Sequence, residues 1–476
     1  MNNKTPNLLF LYTDEQRYDT LGCYGNERIH TPNLDRLAEN ATLFEKAYVT
    51  QPVCTPSRSS LLTGLWPHTS GLIGNNISLP DSTPCLPEML PEGVYTCAHH
   101  GKWHLGDEIY AQHGFTDWKA TEDTYHMFYS DGRDRENDRS TYHHWLIEHG
   151  VEPVNWPSGV PGIGEGVPFV NRFTREQIHS LPEQFSRPTY LAETACEFMR
   201  ANRDNPWVLY VNWLEPHMPF HSCRDNQYSP DEVTLPANYN ADAAQLITRV
   251  RNCREKWYEN GFEGLPLKTE ADWRALTARY WGMCSLVDMS AGRILDTLSE
   301  LGLDENTIVV FTSDHGDMMA SHNMFGKGVQ YEESARVPLL VRIPGQTDSR
   351  RITDPVSQID IVPSLLAGMG ADIPSSLEGD SLRPVLNGDT NTVGRDVFIE
   401  WNSRDPKREQ IRSVVTADGW KLNRSTIGDH ELYNLADDPL ELKNLVSDKS
   451  QSARIQDLLA KIKAWQEQTS DHCELD

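Results

Sequence analysis

The chain has 476 residues, and 43 lysines and arginines against 69 aspartates and glutamates give a formal net charge of −26. So acidic a chain repels phosphate backbones and anionic headgroups, which argues against a general role on nucleic acid or a membrane surface and leaves any anionic ligand to a local positive site. With 38% hydrophobic residues, among them 13 Trp, 17 Tyr and 13 Phe, it has the apolar surface for a real core, so wholesale disorder is excluded.

In chain order, the N-terminus passes directly into the apolar run 7–12 (NLLFLY), which ends at Thr13-Asp14-Glu15 and is too short for a signal peptide. No run approaches the roughly 20 residues of a membrane span, and the mean hydropathy is −0.56. A cytoplasmic location is the expectation. Helical spacing follows at 33–41 and 59–65, then at 189–201, before the apolar run 207–213 (WVLYVNW). Over 272–301, Leu276, Tyr280, Met283, Val287, Ile294 and Leu298 recur near helical spacing, and two further apolar runs, 307–312 (TIVVFT) and 338–343 (PLLVRI), come after it. Short, near-continuous apolar runs suit strands buried on both faces. Strands alternating with helices give an α/β fold with a large, mostly parallel sheet flanked by helices, in which ligands bind beyond the carboxyl ends of the strands.

Residues 107–188 interrupt this alternation with Trp, Tyr, His and charge, and contain the Pro/Gly-rich loop 157–168. The segment reads as an excursion that could wall a pocket; Trp118, Tyr125, Phe128, Tyr129, Trp145 and Trp156 suit stacking on sugar faces and equally suit packing of the excursion itself. From residue 389 short strands at 396–401, 411–416 and 420–423 precede a polar helix at 451–468. The expected organisation is a catalytic domain over 1–388 and a small C-terminal subdomain, an antiparallel sheet plus helix, over 389–476. Nine cysteines without a CxxC pair argue against a disulfide framework or a structural zinc site.

The residues that carry chemistry cluster in a few motifs. Cys54-Thr55-Pro56-Ser57-Arg58 precedes the helical stretch 59–65, with Pro56 in the turn before it, so Cys54 falls near a helix N-terminus, where backbone N–H groups favour anions. Asp14 and Glu15 end one buried strand and Asp314 and His315 end another. Carboxylates converging with an imidazole there would repel one another without a cation, and hard oxygen ligands favour calcium or magnesium over zinc. Lys102 and His104, two residues apart, project to the same side of an extended segment. His217 lies four residues beyond the run 207–213, and Lys327 lies between two glycines, which alone is ordinary loop chemistry.

The run 54–64 (CTPSRSSLLTG) closely resembles the signature of the type I sulfatases, in which the cysteine is oxidised to formylglycine. Residues 101–106 (GKWHLG), 313–316 (SDHG) and 431–445, with its ELYNLADDP opening, resemble further elements of that family in the same order. The resemblance implies an alkaline-phosphatase-like fold and a sulfuric ester hydrolase. It implies one divalent cation, calcium first with magnesium or manganese as alternatives, bound by Asp14, Asp314, His315 and the modified Cys54. Glu15 would stand at or beside that ion, although the family usually has Asp or Gln there. By the same resemblance Arg58 holds the formylglycine hydrate, His104 takes its proton, and Lys102, His217 and Lys327 bind the sulfate, with His217 or Lys327 protonating the leaving oxygen; Asn75 would reach the pocket from the helix that Cys54 opens. One hydroxyl of the hydrate attacks sulfur and the second expels sulfate as the aldehyde re-forms. The implied partners are a small-molecule or saccharide sulfate ester and a formylglycine-generating maturation enzyme. A sulfated carbohydrate is the expected substrate, with choline or aryl sulfate, a phosphonate monoester or phosphodiester, and a non-catalytic binding role as alternatives; the leaving group and oligomeric state stay open.

Overall fold

The computed structural model describes residues 5–123, 134, 138–153, 173–242, 246–405 and 407–475. Eight strands form the main sheet: β1 (Asn7–Thr13), β2 (Thr42–Tyr48), β3 (Thr96–Gly101), β4 (Asp117–Lys119), β5 (Trp207–Asn212), β6 (Thr307–Ser313), β7 (Arg336–Arg342) and β8 (Arg350–Ser357). Their order is β4-β3-β5-β1-β6-β7-β2-β8, and only β7 runs against the others. The four apolar runs of the sequence become β1, β5, β6 and β7, each with a buried centre.

The alternation of β1 explains why so continuous an apolar run is needed. Leu8, Phe10 and Tyr12 face one core with Leu61, Leu62 and Leu365, while Leu9 and Leu11 face another with Leu191, Val287 and Ile294. Helices therefore cover both faces of the sheet. On the second face the Glu270–Glu300 helix, opened by a Thr269/Asp272 capping box, buries Leu276, Tyr280, Met283, Val287, Ile294 and Leu298 as its spacing predicts. The helix expected at 189–201 spans Arg187–Asn202 and packs beside it, and that expected at 33–41 spans Pro32–Ala38.

A separate antiparallel sheet, order β12-β11-β10-β9, comprises β9 (Val397–Trp401), β10 (Ile411–Val415), β11 (Trp420–Ser425) and β12 (Glu431–Asn434). The Ser452–Thr469 helix covers it through Leu458 and Ile462, packed on Val414, Leu422 and Leu432. Among the described residues no helix is long and apolar enough to cross a membrane.

Candidate active site

Strands β3, β5, β1 and β6 are neighbours and run in parallel, so the residues following them leave one edge of the sheet together. Asp14-Glu15, His217, Lys102-His104 and Asp314-His315 are those residues. The connections are tight: Asp314 N–H donates to Thr13 O at 3.0 Å and Lys102 N–H to Asn212 O at 3.2 Å. Gly101 (φ +117) permits the latter approach, since a Cβ there would lie 1.8 Å from Asn212 O.

Cys54 is the first residue of a helix spanning Cys54–Thr63, which begins earlier than the sequence suggests. Pro56 lies inside its first turn, where backbone N–H groups have no intrahelical acceptor, so the missing donor costs nothing. The thiol is buried, 3.3 Å from His315 Nε2 and 3.7 Å from Asp14 Oδ1.

Arg58, one turn along the same helix, organises the carboxylates. Its Nε and terminal nitrogen reach Asp314 Oδ2 at 2.7 Å and Asp14 Oδ2 at 2.8 Å, and a third nitrogen donates to Lys102 O at 3.0 Å. With both Oδ2 atoms engaged, the two Oδ1 atoms lie on the His315 side, 3.7 Å (Asp14) and 3.5 Å (Asp314) from Nε2. The His315 Nδ1–H donates to Gly316 O at 2.9 Å, so Nε2 is the nitrogen that carries the lone pair whenever the ring is neutral.

Glu15 stands beside these donors. Its Oε2 pairs with Lys327 Nζ at 3.1 Å and approaches His217 Nε2 at 3.4 Å, while its backbone N–H donates to Asp314 Oδ1 at 3.1 Å. Glu15 therefore groups with Asp14 and His217 rather than with the Cys54, Asp314 and His315 donors. Lys102 Nζ contacts Asp14 Oδ2. His104 Nε2 meets Asn76 Oδ1 at 2.8 Å. Asn75 lies in the loop beyond the Cys54–Thr63 helix rather than on it, and its Oδ1 accepts from Thr55 N–H at 3.0 Å, capping that helix.

The electrostatics follow from burial opposed by close charges. Burial alone would raise the Cys54 thiol, yet Lys327, Lys102 and His315 hold it well below the ordinary thiol range. Burial and then Cys54 push the Asp14 carboxyl upward, but Lys102, His217 and Arg58 leave it lowered. His315 is raised to about 9 because Asp314 and Cys54 outweigh burial, and burial followed by Lys327 lowers His217 to about 4. Burial, then Lys102, also lowers His104.

These contacts correct one step of the sequence argument. The carboxylates of Asp14, Glu15 and Asp314 meet Arg58, Lys102 and Lys327 within the chain, so their mutual repulsion is already offset. The donor set nevertheless fits a divalent cation: one ligand atom each from Asp14, Cys54, Asp314 and His315 lies within 4.8 Å of every other. Two carboxylate oxygens and an imidazole with its tautomer fixed suit a hard ion.

Other residues escape sequence reasoning. Glu108, almost fully buried, accepts the N–H groups of Trp103 at 3.0 Å and His104 at 2.6 Å, fixing the left-handed turn at His104 (φ 58). Tyr280, read as a core position, donates its hydroxyl to Glu15 O at 2.6 Å. Ser57 Oγ sits between Asp314 O and Gln358 Oε1, the latter at 2.8 Å, and donates its one hydrogen to either. Glu108 alone leaves a trace, four residues beyond His104. Of the aromatic excursion, Trp118 stacks on His99 and Trp145 packs with Tyr142 and Tyr190, both as packing residues. Tyr125, Phe128, Tyr129, Trp156 and the loop 157–168 lie outside the described residues.

Comparison with known proteins bears on the family and the fold. The sulfatase family model matches residues 6–371, and that of the N-sulphoglucosamine sulphohydrolase C-terminal region matches residues 320–468. The chain is 31% identical over 481 residues to an arylsulfatase of Clostridium perfringens, covering 96% of this chain and 93% of that protein. A protein solved in complex with its substrate, D-glucosamine-2-N,6-O-disulfate, has a TM-score of 0.78 at 21% identity and covers 98% of this chain and 99% of its own. The phosphonate monoester hydrolase SpPMH from Silicibacter pomeroyi has a TM-score of 0.80 at 21% identity, covering 98% and 96%. At such identities these two structures speak to the fold alone, whereas the sulfatase model matches well over half of the chain and the arylsulfatase spans 96% of it: the chain belongs to the sulfatase family and is a sulfuric ester hydrolase.

Proposed function

We propose that the chain removes sulfate from a sulfated carbohydrate, with Cys54 carried as formylglycine beside one divalent cation, calcium first, held by Asp14, Asp314 and His315. The observation that carries this reading is the place of Cys54: it opens a helix, is buried, and meets the carboxylate and imidazole donors while Lys102 and Lys327 bear on it. When present, the cation polarises sulfate oxygen and the formylglycine supplies the nucleophile. Arg58 holds the carboxylates in register through its two short ion pairs. Lys102 and Lys327 balance charge on the sulfate as the ester bond breaks. His104, lowered by burial and neutral at pH 7, accepts the proton of the attacking group. His217 Nδ1–H donates to Met218 O at 2.6 Å, so its Nε2 is an acceptor; it orients substrate, and Lys327 protonates the leaving oxygen. A carbohydrate is favoured by the N-sulphoglucosamine sulphohydrolase match over 320–468.

The test combines mass spectrometry of the Cys54 peptide with kinetics on sulfated sugars, an aryl sulfate, choline sulfate and a phosphonate monoester. Active protein should carry aldehyde at Cys54 and turn over a sulfated sugar with the highest kcat/KM. Full turnover by protein bearing only thiol would sink the formylglycine step, and a preference for the phosphonate monoester would reassign the substrate.

A further inference from the structure

Away from the Cys54 centre, the short helix Leu86–Met89 and the turn ending at Phe115 bring a thiol, a carboxylate and an imidazole together. One ligand atom each from Cys85, Glu88 and His113 lies within 4.8 Å of the other two. We propose that Cys85, Glu88 and His113 form a second metal site, for a borderline divalent ion of the zinc type. A mixed S, N, O donor set selects such an ion over calcium. His113 Nδ1 is 3.5 Å from Glu88 Oε2, the separation of two ligands on a tetrahedral ion with bonds of about 2.1 Å.

The independent observation is His113 itself. Its side chain is 2% exposed, and neither ring nitrogen has a hydrogen-bond partner. A buried imidazole lacking both partners is costly unless something answers its lone pair. Cys85 and Glu88 have an explanation without an ion, since they form a capping box in which Glu88 Oε2 accepts Cys85 N–H at 2.9 Å. That box leaves His113 unexplained. The approach of the turn is also built in: at Gly114 (φ +78) a Cβ would lie 2.8 Å from Glu88 Cγ and 2.9 Å from Pro87 Cβ.

On binding, the Cys85 thiol gives its proton to solvent, so thiolate, carboxylate and neutral imidazole leave the divalent ion with no net charge, which suits a buried position. Glu88, one-third exposed, lies on the side from which water can fill a fourth position. The ion would tie the turn after Lys102–His104 to the Leu86–Met89 helix, and His113 already stacks on Trp103 with ring centroids 5.8 Å apart. The spacing Cys85-x-x-Glu88 with a distant His113 is not a CxxC pattern, which is why the cysteine positions gave no sign of it.

The experiment titrates Co²⁺ into the full-length protein carrying Cys54→Ala, which silences the thiol of the first centre. The expected result is one equivalent giving a thiolate-to-cobalt charge-transfer band in the near ultraviolet and the strong visible bands of four-coordinate cobalt, displaced by Zn²⁺. Adding Cys85→Ser or His113→Gln should abolish the band, and Glu88→Gln should weaken binding by about tenfold or more. Absence of the thiolate band, or its persistence in both the Cys85 and His113 variants, would overturn the site. Should either of those variants fail to fold, Glu88→Gln, at a partly exposed position, decides by the same titration: unchanged affinity counts against the site and weakened affinity for it.

Discussion

Lys327 shows how little a residue type discloses by itself. Between two glycines it reads as a loop lysine, yet its Nζ pairs with the fully buried Glu15 at 3.1 Å, and Cys54, Glu15 and Asp14 raise it well above the ordinary lysine range despite burial. Lys327→Ala removes a proton donor and also leaves Glu15 buried without its cation. Turnover should fall about 10²-fold or more with a smaller change in KM, and stability should drop by about 3–5 kcal/mol. The double variant Glu15→Gln/Lys327→Ala separates these effects. Its melting temperature should recover toward that of the native protein while kcat stays low; near-normal kcat/KM in Lys327→Ala would reduce the residue to a structural partner of Glu15. Cys54, Asp14, Asp314 and His315 could be placed from the sequence because they follow strands or open a helix, whereas Arg58 entered only through the family resemblance. The partners of Glu15 could not be placed, because Lys327 is 312 residues away and only the sheet brings them together.

Between elements, a histidine ties the main sheet's helices to the C-terminal sheet. His68, in the short Pro67–Ser70 helix, bonds Glu400 of β9 through Nδ1 at 2.9 Å and Thr469 O, at the end of the last helix, through Nε2 at 3.2 Å. Both nitrogens face acceptors, so the doubly protonated ring fits best; burial disfavours the charge, but the Glu400 hydrogen bond prevails and the pKa is raised. A raised folded pKa means that this stabilisation is complete below about pH 6.5, the unfolded value, and is lost as pH rises through the folded one. The melting-temperature gap between native protein and His68→Gln should thus be widest below about pH 6.5 and narrow as the pH rises above it. A constant gap would mean that the ring never carries the charge. At this scale the sequence was readable where side chains agreed with burial, as in β1, β5, β6 and β7. No strand was read at β3 (TCAHHG), whose His99 and His100 are fully buried although their polarity breaks any apolar run. Nor was one read at β2, where Glu45-Lys46 breaks the apolar run at a shift in register against both neighbouring strands.

For the molecule as a whole, a net charge of −26 opposes an anionic substrate, whereas the site balances its carboxylates with Arg58, Lys102 and Lys327. Screening lengths shrink from about 10 Å at 0.1 M salt to about 3 Å at 1 M, which weakens the diffuse repulsion more than contacts inside the site. For an anionic sulfate ester, kcat/KM should hold or rise between about 0.1 and 0.5 M salt; a fall of tenfold or more would point to exposed cations that steer the substrate. The same architecture also sets a clock. The thiol of Cys54 is closed in by His315, made 261 residues later, and β1 pairs with β5 and β6, which are likewise late products of synthesis. At about 5–20 residues per second of translation, roughly 13–50 seconds separate the appearance of Cys54 from the arrival of the groups that bury it. A modifying enzyme that needs the cysteine on an unfolded segment would have that interval during synthesis, since in the completed fold Cys54 opens a helix whose residues are all buried.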